Sequence, residues 1–284
     1  MKFGIYTNLD RDSELKATRK VIASLHHANC PICYDEDTAL YLGIDNYENA
    51  SKCDILLVLG GDGTILRAAR KYVQHNILLA GINVGNLGFM SEIGLEDVSL
   101  FIDALLTGDY VVDERMMLEA FVPSQNKAYI ALNDVIVTRQ HRTKMMQLDL
   151  HVNGVLAENY YGDGVIIATP TGSTAYSLSA GGPVISPSVN SIVITPICPH
   201  SLYARSIVVR YSDIISIHPY PSEATTVISI DGQQEIELAK QDIVKIRQAE
   251  VRAKFARLLS SNFFAKLKQK LAQWNTPIGK GDCK

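Results

Sequence analysis

A continuous apolar strand that runs directly into a glycine turn and then into a helix constrains the fold of this chain most. Asp54 to Leu59 predicts the strand, and Gly60 to Thr64, with the sequence Gly-Gly-Asp-Gly-Thr, predicts the turn. Lys2 to Asn8 and Ile77 to Ile82 predict further apolar strands, separated by segments of helical spacing. Apolar strands that alternate with helices are typical of a parallel sheet covered on both faces. The first third is therefore predicted to be a doubly wound α/β layer.

The pattern changes near Asp113 to short strands separated by turns such as Asn153-Gly154 and Asp231-Gly232, as in an antiparallel sandwich. A last helix, around residues 264 to 274, is expected to pack back on the first domain. A chain of 284 residues fits two domains of ordinary size. The predicted fold class is thus α/β plus all-β, with one domain over 1–113 joined by 250–284, and a second over 114–249.

Composition and charge exclude several classes of protein. With 47% hydrophobic and 20% charged residues, the chain is neither disordered, collagen-like nor a coiled coil. Its net charge of -3 gives no chain-wide basic field for nucleic acid, and the basic residues after position 250 are interpreted mostly as a solvated helix face. No apolar run approaches the ~18 residues that span a bilayer. The start is too quickly polar for a secretory signal and the cysteines are odd in number, so we expect a cytoplasmic protein with no nucleic-acid or membrane partner.

The glycine turn is predicted to hold phosphate. Its three glycines allow close approach of an anion to the backbone, and the amides of the following helix point at that anion with the positive end of the dipole. A site that only holds phosphate gains nothing from a fixed negative charge, so Asp62 is interpreted as a base or orienter for a hydroxyl that attacks phosphorus. The alternative is a tight turn that happens to contain aspartate.

A second segment, from Gly162 to Ser177, predicts a turn, an apolar strand and then a hydroxyl-rich loop that enters a helix. Its hydroxyls offer hydrogen bonds to sugar, phosphate or a base edge, and Tyr176 can pack on a ring. The alternative is a helix cap followed by a packing seam of small residues. The sequence has no Walker A motif, protein-kinase motif set, zinc helix or nucleophile elbow, so phosphoryl transfer must use another scaffold.

Together these two segments resemble the NAD kinase family. Gly60 to Thr64 matches the family's Gly-Gly-Asp-Gly-Thr signature, and Gly162 to Tyr176 matches its second and more distinctive block. Three shorter segments are also similar to family segments and follow in family order: Ile82 to Phe89, Asn133-Asp134 and Asp231-Gly232-Gln233.

The resemblance implies an N-terminal Rossmann-like three-layer domain, which carries the glycine turn, and a C-terminal β-sandwich that binds dinucleotide. It implies transfer of the γ-phosphoryl group of ATP to the 2′-hydroxyl of the adenosine ribose of NAD, giving NADP. Asp62 would be catalytic and act on that hydroxyl, and Asp163 would complete the site of a neighbouring subunit in a homo-oligomer, either a dimer or a tetramer. Mg²⁺ or another divalent cation would arrive with ATP, with no dedicated metal ligands in the protein.

The same resemblance implies which other residues bind substrate. Gly61 and Gly63 would let the backbone meet pyrophosphate. Apart from the resemblance, the positive charges of Arg67 and Lys144 make them candidates for contact with the phosphates of ATP or of the dinucleotide, and the alternative for each is a solvated surface position. The residues expected to contact ribose or adenine are Asn133, Asp134, Thr174, Ala175, Tyr176 and Ser179. Phe89 and Gln233 belong to matched segments, and Tyr161 and Ser177 directly flank the second block; all four are also candidate nucleotide-binding residues.

Two other functions stay open on the sequence. A lipid or sugar kinase could share the glycine turn, although the hydroxyl-rich block and the lack of a membrane-binding amphipathic helix disfavour the lipid form. A non-catalytic dinucleotide sensor could use the same pocket, although it would have little use for Asp62. The sequence does not choose between NAD and NADH, or between ATP and polyphosphate as donor.

Overall fold

The structure is a computed structural model that describes residues 1–85, 88–140, 145–201, 203–220 and 225–275. It consists of two compact units. The first contains Met1–Ala68, Ile77–Asp113 and the chain from Phe255 onward, and the second contains Ala69–Asn76 and Glu114–Lys254. The domain limits expected from the sequence, 1–113 with 250–284 and 114–249, stay predictions.

The first unit is an α/β layer built on a parallel sheet. Its elements are β1 (Phe3–Thr7), α1 (Lys16–His27), β2 (Ile32–Tyr34), α2 (Glu36–Leu42), β3 (Ile55–Gly60), α3 (Asp62–Tyr72, to Ala68), β4 (Leu78–Asn83), β5 (Ile93–Gly94) and α4 (Val98–Thr107). The sheet order is β2-β1-β3-β4-β5, and every pair is parallel. Because the chain winds to one side after β1 and to the other after β3, the carboxyl ends of these two strands form a topological switch point, where such sheets bind ligands.

Burial explains the helices and strands of this unit. All six residues of β3 are buried, as a central strand covered on both faces requires. Helix α1 buries Ala17, Val21 and Leu25 at helical spacing. Its start is capped from a distance, since the Asp12 carboxylate accepts hydrogen bonds from the amides of Ala17 (3.0 Å) and Thr18 (2.8 Å).

The second unit is an antiparallel β-sandwich. Its strands are β6 (Tyr110–Val122, from Glu114 on), β7 (Lys127–Ala131), β8 (Asp134–Arg139), β9 (Met146–Val152), β10 (Val155–Gly162), β11 (Gly164–Ala168), β12 (Ser191–Ile197), β13 (Ile207–Arg210), β14 (Ile215–Pro219), β15 (Thr226–Ile230), β16 (Gln234–Leu238) and β17 (Val244–Leu258, to Lys254). One sheet has the order β13-β12-β11-β8-β15-β16, and the other contains β10-β9-β14-β17 with β6 and β7. Apolar side chains of both sheets, such as Leu118, Leu148 and Ile194, form a common core. The predicted fold class is confirmed.

Two features differ from the sequence prediction or extend it. The sequence from Tyr129 to Thr138 predicts a single strand, but this part of the chain forms two, β7 and β8, which are separated at Leu132 and Asn133. The last helix, α6 (Phe263–Asn275), returns to the first unit as expected, and Lys266 Nζ on it donates to the Ser91 carbonyl at 3.0 Å. Among the residues described, none of the helices is long and apolar enough to cross a membrane.

Candidate active site

The glycine turn lies where β3 ends and α3 begins. A Cβ atom at Gly60 would lie 2.3 Å from Thr64 Oγ1, so the close return of the helix onto the strand requires glycine. The amide of Thr64 donates to the Gly61 carbonyl at 2.9 Å. Thr64 Oγ1 also accepts a hydrogen bond of 2.8 Å from Asn8, just after β1. The turn is therefore fixed at the switch point of the sheet, with the positive end of the α3 dipole beside it.

Both carboxylate oxygens of Asp62 are held by backbone amides. Phe89 N donates to Oδ2 at 2.9 Å, and Met90 N donates to Oδ1 at 3.0 Å. Gly88 makes this contact possible, because a Cβ atom there would lie 1.9 Å from Asp62 Oδ1. A carboxylate has about four lone-pair sites, so lone pairs remain for a substrate hydroxyl. Phe89, predicted as a binding residue, thus contributes its amide to Asp62.

Charged residues from the end of the chain fix the segment that holds Asp62. Arg257 Nη1 donates to the Met90 carbonyl at 2.8 Å and pairs with Glu92 at 3.0 Å. Lys266 Nζ also pairs with Glu92, at 2.9 Å. The Glu92 side chain is only 2% exposed and that of Arg257 only 8%. Arg257 and Lys266, two of the basic residues after position 250, therefore form ion pairs with the buried Glu92 and are not part of a solvated helix face.

Electrostatics keep Glu92 ionised despite its position. Burial on its own would raise the pKa of Glu92, but the ion pairs and hydrogen bonds with Lys266 and Arg257 outweigh it and leave the pKa below its usual value. No local pattern in the sequence indicates this arrangement, since Glu92 and Arg257 are 165 residues apart.

In the second unit, Asp231 organises the turn between β7 and β8. Its carboxylate accepts hydrogen bonds from the amides of Leu132 (3.2 Å), Asn133 (2.7 Å) and Asp134 (3.2 Å). Arg70 Nη1 pairs with the same carboxylate at 3.0 Å, and Arg70 Nη2 donates to Gln233 Oε1 at 2.8 Å. The structure thus brings the predicted residues Asn133, Asp134 and Gln233 together around Asp231 and Arg70, whose part the sequence did not indicate.

Two polar groups at this turn are unusual. Burial, and then the charge of Asp231, raise the pKa of Asp134 to about 7. Asn133 Oδ1 is buried and has no hydrogen-bond partner in the described part of the chain. A buried acceptor of this kind requires an explanation, and one explanation is a bound donor.

The hydroxyl-rich block packs directly against the same turn. Thr169 Oγ1 donates to the Leu132 carbonyl at 2.7 Å, and a Cβ atom at Gly172 would lie 2.1 Å from the Asn133 carbonyl oxygen. Thr174 and Ala175 are half-buried, and Tyr176 and Ser179 are exposed. Ser177 differs from these residues, because its side chain is fully buried and hydrogen-bonded to Thr195 Oγ1 at 2.9 Å.

Asp163 directly precedes β11, at the end of that strand far from the Asn133 turn, and Tyr161 lies on β10 in the other sheet. The Asp163 carboxylate forms a close ion pair with Arg139, and half of Tyr161 is exposed, with its ring edge towards His200. Strand β11 pairs Gly164 with Thr138 and Ala168 with Asp134. At about 3.4 Å per residue, Asp163 is therefore about 17 Å from the strand end that carries Asn133. Within one chain these two predicted residues do not meet.

The remaining predicted residues lie elsewhere. Gly61 is buried and Gly63 is exposed at the start of α3. Arg67, one turn further along α3, is exposed. Lys144 lies outside the described residues.

Comparison with known proteins identifies the family. The ATP-NAD kinase N-terminal domain matches residues 44–110, and the ATP-NAD kinase C-terminal domain matches residues 132–258. NAD kinase from a Thermoanaerobacter species is 39% identical over 280 residues, which cover 96% of this chain and 99% of that protein. NAD kinase from Acetivibrio thermocellus is 37% identical over 281 residues, covering 95% and 97% of the two chains. The chain belongs to the NAD kinase family. It is a kinase that phosphorylates NAD to NADP, with ATP as donor.

Solved structures of the NAD kinase family have the same fold. The crystal structure of yeast NADH kinase complexed with NADH has a TM-score of 0.86 at 25% identity, covering 99% of this chain and 90% of that chain. An NAD kinase from Archaeoglobus fulgidus, crystallised in complex with ATP, has a TM-score of 0.77 over 96% and 99% of the two chains. At 23% identity, this second likeness concerns the fold alone.

Proposed function

We propose that Asp62 orients the 2′-hydroxyl of the adenosine ribose of NAD and takes its proton as that hydroxyl attacks the γ-phosphorus of ATP. The hydroxyl oxygen forms a bond to phosphorus, the bond from phosphorus to the β-γ bridging oxygen breaks, and ADP leaves. The observation that carries this role is the double anchoring of the Asp62 carboxylate by the amides of Phe89 and Met90. A carboxylate held in this way has a fixed direction of approach, which is what general-base catalysis requires.

The remaining substrate contacts are proposed from the sequence motifs and from the buried polar groups at the turn between β7 and β8. Asn133 Oδ1, buried and unpartnered among the described atoms, would accept a hydrogen bond from a ribose hydroxyl or the adenine amino group. Asp134, Thr174, Ala175, Tyr176, Ser179 and Gln233 are proposed to contact the same nucleotide. Ser177 would not contact the nucleotide but would stabilise the hydroxyl-rich segment through its hydrogen bond to Thr195.

We further propose that a divalent cation accompanies ATP. The residues that the structure covers contain no group of three or more His, Cys, Asp or Glu side chains that could hold a metal ion. Mg²⁺ generally keeps several waters and is bound through one or two carboxylates together with substrate phosphates, so the ion is proposed to arrive with the triphosphate. The ion would neutralise charge on the transferring phosphoryl group.

A homo-oligomer with shared sites is also part of this proposal. Asp163 lies at the opposite end of β11 from the Asn133 turn, and we assign it to the nucleotide site of a neighbouring subunit. To test this, Asp62→Asn and Asp163→Ala subunits are mixed under exchange conditions that form hybrids. Recovery of activity in the mixture supports shared sites, and a mixture as inactive as its components contradicts them.

The role of Asp62 is tested in a coupled assay for NADP formation with NAD, ATP and Mg²⁺. We expect Asp62→Asn to lower kcat by roughly 10²- to 10⁴-fold while NAD and ATP affinities change little. Asp45→Asn, which alters an exposed carboxylate of the same unit, is the matched control. Unchanged turnover in Asp62→Asn contradicts the assigned role. The same assay with diacylglycerol as acceptor tests the lipid-kinase alternative. If the protein binds dinucleotide but forms no product, also with NADH as acceptor or polyphosphate as donor, the non-catalytic dinucleotide sensor is favoured.

A further inference from the structure

The loop after β1 is built onto the glycine turn. The amide of Asn8 donates to the Leu59 carbonyl at 2.9 Å, and its side chain donates to Thr64 Oγ1 at 2.8 Å. The amide of Arg11 in turn donates to the Asn8 carbonyl at 3.1 Å. Because Leu59 and Thr64 flank the turn in sequence, these bonds fix the backbone of Arg11 beside it.

The guanidinium of Arg11 lies over the glycines that follow two neighbouring strands. A methyl group at Gly61, after β3, would lie 3.1 Å from Arg11 Nη1 and 3.4 Å from Cζ. A methyl group at Gly85, shortly after β4, would lie 3.5 Å from the same Nη1. The absence of side chains at these two positions leaves room for the guanidinium at the carboxyl edge of the sheet.

The charge of Arg11 is not used inside the described structure. Arg11 is exposed, and its guanidinium has no salt-bridge partner within residues 1–85 or the other described ranges. By contrast, Arg70, Arg139 and Arg257 each pair with a carboxylate. A planar cation without a counter-charge among the described residues, beside a helix N-terminus, suits the oxygens of a phosphate group.

We propose that Arg11 binds phosphate oxygens of a substrate at the glycine turn. This inference rests on the proposed function, in which the turn receives the reacting phosphates. A transferring phosphoryl group carries charge on its peripheral oxygens, and positioned cationic donors stabilise that charge. Asp62, the charged residue of the turn itself, is an anion and cannot supply such a contact. The ligand is a phosphate ester chain, either the triphosphate of ATP or the pyrophosphate of NAD.

The test uses Arg11→Gln and Arg11→Lys in the full-length enzyme, with Arg19→Gln as the matched control, since Arg19 is an exposed arginine on α1. We expect Arg11→Gln to lower kcat/KM by about 10- to 100-fold, the range for a lost hydrogen bond to a charged group. Arg11→Lys keeps the charge but loses the planar fork, so its activity should lie between those of the wild type and Arg11→Gln.

Separate titrations identify the phosphate that is bound. A higher KM for ATP alone, with weaker binding of inorganic tripolyphosphate, assigns Arg11 to the triphosphate, and a higher KM for NAD alone assigns it to the pyrophosphate. A lower kcat with both KM values unchanged assigns it to the transferring group. Values within twofold of Arg19→Gln for kcat and both KM values overturn the proposal. Asp62→Asn is assayed in parallel, so that failure of the Arg11 proposal and failure of the proposed function can be distinguished. Full activity of Asp62→Asn refutes the role of Asp62, independently of the result for the Arg11 variants.

Discussion

Arg257 donates a 2.8 Å hydrogen bond to the carbonyl oxygen of Met90, and the amide of Met90 donates to Asp62 at 3.0 Å. Met90 is therefore held on both sides, by a buried guanidinium and by the proposed catalytic carboxylate. Because Arg257 also pairs with Glu92, the carboxyl-terminal part of the chain determines where the amide that anchors Asp62 lies. This relationship makes Arg257 a positioning residue that does not touch the reacting atoms.

Arg257→Met is expected to weaken both stability and catalysis. It leaves Glu92 buried with one cation fewer, and loss of one partner of a buried ion pair lowers the free energy of unfolding by about 3 kcal/mol. Urea unfolding measures this change, and kcat should fall about tenfold with little change in either KM, because the Met90 amide loses its fixed position.

Arg257→Lys should recover part of kcat, which a purely structural defect in packing would not allow. Arg247→Met is the control, because the Arg247 side chain is 55% exposed and its pair with Glu119 contributes little. A normal kcat in Arg257→Met would refute the positioning role.

The pH dependence of Glu92 follows from its lowered pKa. Its folded pKa lies below the unfolded value of about 4.5, because the ion pairs with Lys266 and Arg257 outweigh the cost of burial. A carboxylate with a lowered folded pKa contributes stability that is present above the unfolded pKa and lost as pH falls through the folded pKa. The difference in free energy of unfolding between wild type and Glu92→Gln should thus be large at pH 7 and shrink as the pH falls below about 4.5. A difference that stays constant would contradict the ionised state of Glu92.

Gly88→Ala is expected to abolish activity while the fold remains. The added Cβ atom would lie 1.9 Å from Asp62 Oδ1, so the carboxylate must leave the amides of Phe89 and Met90. We expect a loss of at least about 10²-fold in kcat, as for a displaced general base. Gly94→Ala is the matched control, because the three atoms nearest to its added Cβ atom all belong to the end of the Glu96 side chain, which can move. Equal kcat values in the two variants would show that Asp62 does not need its present position.

The sequence predicted the elements whose signals are local. The apolar strand, glycine turn and helix around Asp62 depend on neighbouring residues, and their order also predicted the parallel sheet. The break between β7 and β8 has no local signal. Three successive amides there donate hydrogen bonds to Asp231, which lies about a hundred residues later in the sequence. Arg257 and Glu92 meet only through the fold, so no spacing in the sequence indicates their pairing. Arg11 was missed for the same reason, since only the sheet order brings the loop after β1 beside the glycine turn.

The raised pKa of Asp134 predicts the opposite pH dependence to that of Glu92. Burial and then the charge of Asp231 raise its pKa to about 7, so between about pH 4 and 7 the folded state binds a proton that the unfolded state releases. Stability therefore falls as pH rises through this window. Asp134→Asn imitates the protonated form and should stabilise the protein more at pH 8 than at pH 4.5 in urea unfolding. An equal effect at both pH values would rule out a raised pKa.

Asp231→Asn is expected to weaken NAD binding more than turnover. The carboxylate accepts the amides of Leu132, Asn133 and Asp134, and it pairs with Arg70 at 3.0 Å with its side chain fully buried. An amide side chain offers only one oxygen and turns an NH₂ group towards these donors, so the turn must rearrange.

We expect the KM for NAD to rise about tenfold or more and kcat to change less, because the Asn133 turn is proposed to bind the nucleotide and Asp62 lies in another part of the chain. Arg70→Lys keeps a charge beside Asp231 and should show a smaller rise, whereas Arg70→Met should approach Asp231→Asn. Steady-state titrations of NAD and ATP check this, with circular dichroism to verify the fold. An unchanged KM for NAD in folded Asp231→Asn would mean that the turn it organises does not bind this substrate.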